Sequence, residues 1–211
     1  MASKQKFARS EDFKTPPCRI LYAFGLFKTR KGDNGKETYQ STLVFENQHK
    51  AALEKYVGKV IIEQWGEKGI ERAKQGLIKS PFLAGDGKEA RDKASGEINE
   101  GLGAGLFFIR PWANADHPPV VRYKDPNIPA TEAEVYSGCR GFAVLSAFAW
   151  HNDQNGDGVS FNLAYFQKTA DDTRIGNSGA VDAGKWHEKI EDAGDAPSET
   201  KQGAGAGGLF G

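Results

Sequence analysis

From Cys139 to Lys168 the chain alternates between two kinds of residue with a period of two. In Cys139–Trp150 the odd positions are Cys139, Gly141, Ala143, Leu145, Ala147 and Ala149, small residues suited to close packing. The even positions are Arg140, Phe142, Val144, Ser146, Phe148 and Trp150. Successive side chains of a strand point to opposite faces, so this pattern predicts one strand with a packed face and a mixed face. Downstream, Val159, Phe161, Leu163 and Tyr165 form an apolar face, with Ser160, Asn162, Ala164, Phe166 and Lys168 opposite. Further strands are predicted at 106–112, 120–124, 136–151 and 159–168. Asn152 to Gly158 (NDQNGDG) is a hairpin turn, and proline-bearing loops separate the others.

Upstream, 19–28 (RILYAFGLFK) and 38–45 (TYQSTLVF) read as a hairpin around a basic, glycine-containing loop. The period then changes. Asn47 caps a helix from Gln48 that carries Ala51, Ala52 and Tyr56, and a second helical stretch, 60–75, carries Ile61, Trp65 and Ala73, with Gly58 and Gly66 as interruptions. The expected fold is mainly β with a helical insertion (α+β), a small barrel of the OB type. Residues 1–17 read as a polar lead-in ending in Thr15-Pro16-Pro17, 18–176 as the folded domain, and 177–211 as a flexible acidic and glycine-rich tail. Within the domain, 80–105 reads as an exposed, mobile connection.

Charge changes this picture. Lys and Arg total 28, as do Asp and Glu, but residues 181–211 hold six acids against three lysines, so the body is +3 and the tail −3. Two cysteines are too few for a disulfide framework or a thiolate zinc site. The N-terminus lacks the apolar core of a signal peptide and no stretch approaches a membrane span, so a soluble cytoplasmic protein with no membrane partner is expected. The four histidines are scattered and there is no Walker lysine loop. Asp153-x-Asn155-x-Asp157-Gly158 imitates half of an EF-hand, but its twelfth position is Ala164 and strands flank it. A non-enzymatic protein without cofactor or metal is expected, and nothing marks an oligomeric state.

Arginine and lysine are seldom fully buried without a partner, so a face that mixes aromatics with cations should stand partly open. Single-stranded nucleic acid requires such a face, because flat rings stack on any base while cations follow the phosphates. The stacking candidates are Phe108, Trp112, Phe142, Phe148, Trp150 and Phe166, with Tyr22 from the first strand. The phosphate candidates are Lys28, Arg30 and Lys31 near the first hairpin loop, with Arg110, Arg140 and Lys168. A competing reading packs Phe142, Phe148 and Trp150 under the helical insertion, with arginine stems buried and their heads in water.

Four blocks carry a resemblance: Tyr22-Ala23-Phe24-Gly25-Leu26-Phe27, Tyr39-Gln40-Ser41-Thr42-Leu43, Tyr136-Ser137-Gly138-Cys139, and Gly158-Val159-Ser160-Phe161-Asn162-Leu163 with Gln167-Lys168. Over 18–176 the sequence resembles small phage single-stranded-DNA-binding proteins with an OB-fold core and an acidic tail, first catalogued as a domain of unknown function. The resemblance implies non-catalytic, sequence-tolerant binding of single-stranded DNA in phage replication and recombination, in the cytoplasm of an infected bacterium. It also implies that the tail recruits phage replication proteins, with Asp192, Asp195 and Phe210 as contact residues. Here Phe210 is penultimate, behind a glycine-rich spacer, which departs from the usual ending. An RNA-binding OB module and a phage protein-interaction component are the alternatives, because fold alone does not choose.

Overall fold

The computed structural model describes residues 7–32 and 35–176, and every element below lies within them. In chain order these are β1 (Phe13–Lys14), β2 (Cys18–Leu21), β3 (Arg30–Lys31), β4 (Glu37–Gln40), β5 (Thr42–Glu46), α1 (Lys50–Trp65) and α2 (Glu67–Lys74). Then follow β6 (Ile78–Lys79), β7 (Leu83–Ala84), β8 (Leu106–Ile109), β9 (Trp112–Asn114), β10 (Val120–Arg122), β11 (Arg140–Asn152) and β12 (Gly156–Ala170). Strand pairing runs β3-β4-β9-β12-β11-β2-β5-β8-β7, with β1 beside β11 and both β6 and β10 beside β12. The mainly β fold with a helical insertion is as expected. The barrel is not closed, because the path ends at β3 and β7 without their pairing.

The long β11–β12 hairpin is the spine, and its parity explains the layering. Gly141, Ala143, Leu145, Ala147 and Ala149 are all buried, and the last four share one core with Leu53, Val57, Val60 and Ile61 of α1. Alanines on this face let the helix approach closely, and each buried Leu, Val or Ile contributes about 1.5–3 kcal/mol. A larger residue at Ala147 would overpack the contact, at about 1–3 kcal/mol. Gly58 does not interrupt α1. Gly66, at φ 68°, ends it and gives its N–H to the Ile62 carbonyl.

Three expectations are corrected by packing. Residues 8–15, read as a polar lead-in, run along the edge of β11: Ser10 N–H donates to the Ala147 carbonyl at 2.8 Å, Ala149 N–H to the Ala8 carbonyl at 2.9 Å, and β1 places Phe13 opposite Leu145. An unpaired strand edge leaves backbone groups without partners. Phe13 anchors the pairing by stacking on Tyr56 at 3.7 Å. The hairpin of strands one and two is also interrupted. β2 pairs with β5 and β3 with β4, but Ala23–Leu26 form a 3₁₀ turn between them.

The segment 80–105, read as a connection, closes a second core. Ala90 packs with Leu21, Val44 and Phe108, flanked by Leu83, Leu102, Leu106 and Ile175. The β2–β5–β8 region is thereby covered on both faces, which buries Phe107 and Phe108 alike. None of the described helices is long and apolar enough to cross a membrane. The expected tail, with Asp192, Asp195 and Phe210, lies outside the described residues.

Candidate nucleic-acid interface

The face of β11 turned away from α1 carries Phe142, Phe148 and Trp150, each half-buried. Their packing under the helical insertion is thereby ruled out. At the hairpin end three rings gather. Trp112 meets Phe148 edge-on, ring centres 5.5 Å apart, and Trp150 donates its indole N–H to Ser160 Oγ at 3.0 Å. Gly158, opposite Trp150, provides the floor, since a Cβ there would collide with the indole. Trp112 is brought alongside by two pairings, with Gln40 of β4 and Asn162 of β12. These rings line an open groove of about 860 Å³ between the β3–β4 hairpin (Gly32, Lys36, Thr38) and the β11–β12 turn (His151, Gln154, Asn155).

The other half of the same face is organised differently. Phe142 stacks with Tyr165 at 6.1 Å, and the Lys14 ammonium sits 3.7 Å above the Phe142 ring. Tyr165 was assigned to the core face. A bulge corrects this: Leu145 faces Leu163, Val144 faces Tyr165, and the extra residue Ala164 reverses the parity from Tyr165 to Lys168. For the same reason Phe166 is fully buried and offers no face to a base. Lys168 is buried too. It donates to the Glu134 carbonyl at 2.6 Å and pairs with Asp171 at 2.6 Å, so it does not reach a phosphate. Phe108, buried under the 80–105 segment, is likewise no stacking surface.

The remaining cations divide by partner. Arg140 is held by Asp172 at 2.6 Å, beside Arg19 at 2.7 Å. Hydrogen bonds from the Arg19 guanidinium, the Thr173 amide and Arg140 hold Asp172 well below the usual carboxylate range. Lys28 pairs with Glu132 at 2.8 Å on the exposed surface, a bond of small worth that a phosphate readily replaces. Arg30 and Lys31 are exposed on β3 and make no ion pair among the described residues. Arg110 lies over the Phe108 ring and donates to the Glu89 carbonyl at 3.0 Å.

Tyr22 is placed by strain. It is the one non-glycine residue with positive φ among those described, at φ 54° and ψ 46°, and it is half exposed. Hydrogen bonds lock the turn: Ala23 N–H to Ser137 Oγ, Ser41 Oγ to the Tyr22 carbonyl, and Gly25 N–H to the same carbonyl. Gly25 is required because a Cβ would collide with the Gln40 backbone. Phe24, which lies in the predicted strand 19–28 and is not among the stacking candidates, is also half exposed and meets Tyr22 edge-on at 6.4 Å. Its signal was Gly25 within the Ala23-Phe24-Gly25-Leu26 run, which marks a turn better than a strand.

Residues 12–196 match the profile of a family described as Enterobacter phage Enc34, ssDNA-binding protein. The chain belongs to this family. No curated protein matches it. Among solved structures, the family's single-stranded DNA-binding protein from bacteriophage Enc34, in complex with ssDNA, superposes with a TM-score of 0.56 at 19% identity, over 82% of this chain and 100% of that one. A C-terminal truncation of the Enc34 protein gives 0.54 at 19%, over 82% and 99%. The gp2.5 single-stranded DNA binding protein encoded by bacteriophage T7 gives 0.50 at 14%, over 90% and 100%. These likenesses concern the fold. The residues of the interface rest on this chain's own geometry.

Proposed function

We propose that this chain binds single-stranded DNA without reading its sequence, stacking bases on Trp112, Phe148 and Trp150 and drawing phosphates to Arg30, Lys31 and Arg110. The observation that carries this reading is the open groove in which three half-buried rings stand on the face away from the helices, near Arg30 and Lys31, which make no ion pair among the described residues. Every base has a π-face, so such rings accept any sequence, at about 1–3 kcal/mol per stacked base. Membership of an ssDNA-binding family agrees with it, as does the Enc34 complex. The protein acts by holding DNA, with no chemistry on it, in phage replication and recombination in the host cytoplasm. The acidic tail, through Asp192, Asp195 and Phe210, recruits replication proteins.

The test is a titration followed by tryptophan fluorescence, with oligo-dT, a matched RNA strand and a duplex at two salt concentrations. Quenching by oligo-dT at lower concentrations than by duplex is expected, with log affinity falling by about 0.7 per phosphate contact against log salt. Equal affinity for duplex and single strand overturns the reading, and tighter binding of RNA turns it toward an RNA module. Capture of phage replication proteins by the full chain, lost on removing 181–211, tests the tail.

A further inference from the structure

The groove does not end at the tryptophans. Gln40 lines both the Trp112–Trp150 groove and a neighbouring one of about 300 Å³ that holds Tyr22, Phe24, Arg30 and Arg110. Tyr22 and Arg110 in turn line a third, of about 680 Å³, walled by Lys88, Arg91 and Lys93 with the acids Glu89 and Asp92 between them, so that with Arg110 its cations outnumber its carboxylates by four to two. One surface path therefore leads from Trp150 to the 86–99 loop. Its far part repeats the chemistry of its near part, with two exposed rings set edge-on and cations beyond them. Arg91 Nη1 donates to the Gly96 carbonyl at 3.0 Å, and neither Lys88 nor Lys93 makes an ion pair among the described residues. The loop is fixed in shape, because Asp92 Oδ1 accepts the N–H groups of Ala94 at 2.9 Å and Ser95 at 2.8 Å. A bulky aromatic at φ 54° is a genuine outlier, in the left-handed region that L-residues other than Asn, Asp and Gly rarely adopt. Such strain persists where the surroundings impose it, and here it turns the ring out to solvent.

We infer that Tyr22 and Phe24 form a second stacking station for the same DNA strand, with Arg110, Arg91 and Lys93 holding the phosphates between and beyond. This rests on the ssDNA reading of the Trp112–Trp150 groove and adds to it a prediction of site length. A strand of about 4 nucleotides is held by one station, whereas a strand of about 16 spans both.

The experiment uses the full chain carrying both Tyr22→Gly and Phe24→Ala, titrated with oligo-dT of each length. Glycine removes the ring and relieves the positive φ, so the melting temperature is kept and a loss of binding is not a loss of fold. Affinity for the long strand is expected to fall about 5- to 100-fold. Quenching of tryptophan fluorescence by the short strand is expected to stay as in the unmodified protein. Tyr22→Phe with Phe24 intact restores long-strand affinity, and Arg91→Ala with Lys93→Ala lowers the salt slope for the long strand alone. Unchanged long-strand affinity in the double variant overturns the second station. An equal loss for both lengths also overturns it, by assigning Tyr22 to the station of the tryptophans. Failure of the unmodified protein to bind either length overturns the ssDNA reading beneath it.

Discussion

The two halves of the outer β11–β12 face both carry aromatic rings with cations nearby, and meet opposite fates. Toward the hairpin turn, Trp112, Phe148 and Trp150 border an open groove whose neighbouring cations, Arg30 and Lys31, have no carboxylate partner among the described residues. Toward the other end, Phe142 is capped by Lys14 and Tyr165, Arg140 is tied to Asp172, and Lys168 and Lys124 share Asp171. A cation already paired must lose that partner before it gains a phosphate, so aromatic and basic residues together do not define a DNA surface. What separates the halves is the pair of aspartates after β12, which satisfies one end of the sheet and leaves the other for an external anion.

The largest expected effect compares rings across the two halves. Trp150→Ala and Trp112→Ala should each weaken ssDNA binding by about 1–3 kcal/mol while the chain stays folded. Phe142→Ala should lower the melting temperature and leave the affinity unchanged, because its ring faces are occupied by Lys14 and Tyr165. Anisotropy titrations beside thermal melts read both quantities. Loss of affinity in the Phe142 variant equal to that of Trp150 would erase the distinction between the halves.

Next come the cations. Lys168→Ala strips the Glu134 carbonyl and Asp171 of a donor at a buried position and removes an ammonium lying 4.7 Å from the Tyr136 ring centre. Asp171 keeps Lys124 and Tyr136, but the Glu134 carbonyl loses its donor and the buried contacts of the lysine go, at a cost of about 1–3 kcal/mol of stability, seen in denaturant unfolding, with no change in the salt slope of binding. Arg30→Ala should do the reverse, removing about 0.7 from the slope and nothing from stability. If Lys168→Ala lowered the slope in a folded protein, its assignment as a structural cation would be wrong.

The contrast between Lys168 and Arg30 marks where sequence reading stops. Parity along Arg140–Trp150 was legible because the alternation of small with larger residues survives in burial at every position but Ser146, which Arg9 covers by donating to its hydroxyl. On β12 the same rule holds to Leu163 and then inverts, because a bulge at Ala164 has no signature that alternation can register. Phe166 and Lys168 were misplaced by that one residue, and Tyr165 was hidden by it. Phe108 failed for a different reason. Its burial depends on Ala90 and Leu102, from a segment too rich in glycine and charge to announce a covering layer. Phe13, one aromatic among polar neighbours, likewise gave no periodic sign that residues 8–15 would pair with β11.

A smaller effect should separate the halves by acid. Asp171 is held below the usual carboxylate range by hydrogen bonds from Lys168, Lys124 and Tyr136, as Asp172 is by Arg19, Thr173 and Arg140. A depressed folded pKa gives stability that is present above the unfolded value near 3.9 and is lost as pH falls through the folded value. The native protein should therefore lose stability progressively below about pH 4, and Asp172→Asn should flatten that dependence. Melting curves at a series of pH values decide it. An unchanged acid slope in the variant would mean that the aspartates do not organise this end of the sheet.

The smallest expected effect lies at the open end, where His151 stands at the rim of the groove. Its ring nitrogens lie 2.8 Å from Asp157 and 3.3 Å from Asp153, and the bond to Asp157 raises its pKa above the ordinary 6.5. Arg72, from α2, shares Asp157 at 2.6 Å, so protonated His151 brings this cluster of two cations and two carboxylates to neutrality. Deprotonation leaves it with one net negative charge beside the path of the phosphates. Because the folded pKa is raised, the proton's contribution to stability is complete below the unfolded value and is lost as pH rises through the folded one. DNA affinity should follow the same direction, weakening as pH rises through that raised value, since the groove then presents a net anion. The change is small because the cluster is exposed and screened at physiological salt. His151→Gln keeps a polar side chain without the titration, so its ssDNA affinity should be flat between about pH 6 and 8, where only unperturbed histidine titrates. A variant that kept the full pH dependence of the native protein would exclude His151 as its source and detach the β11–β12 turn from the DNA path.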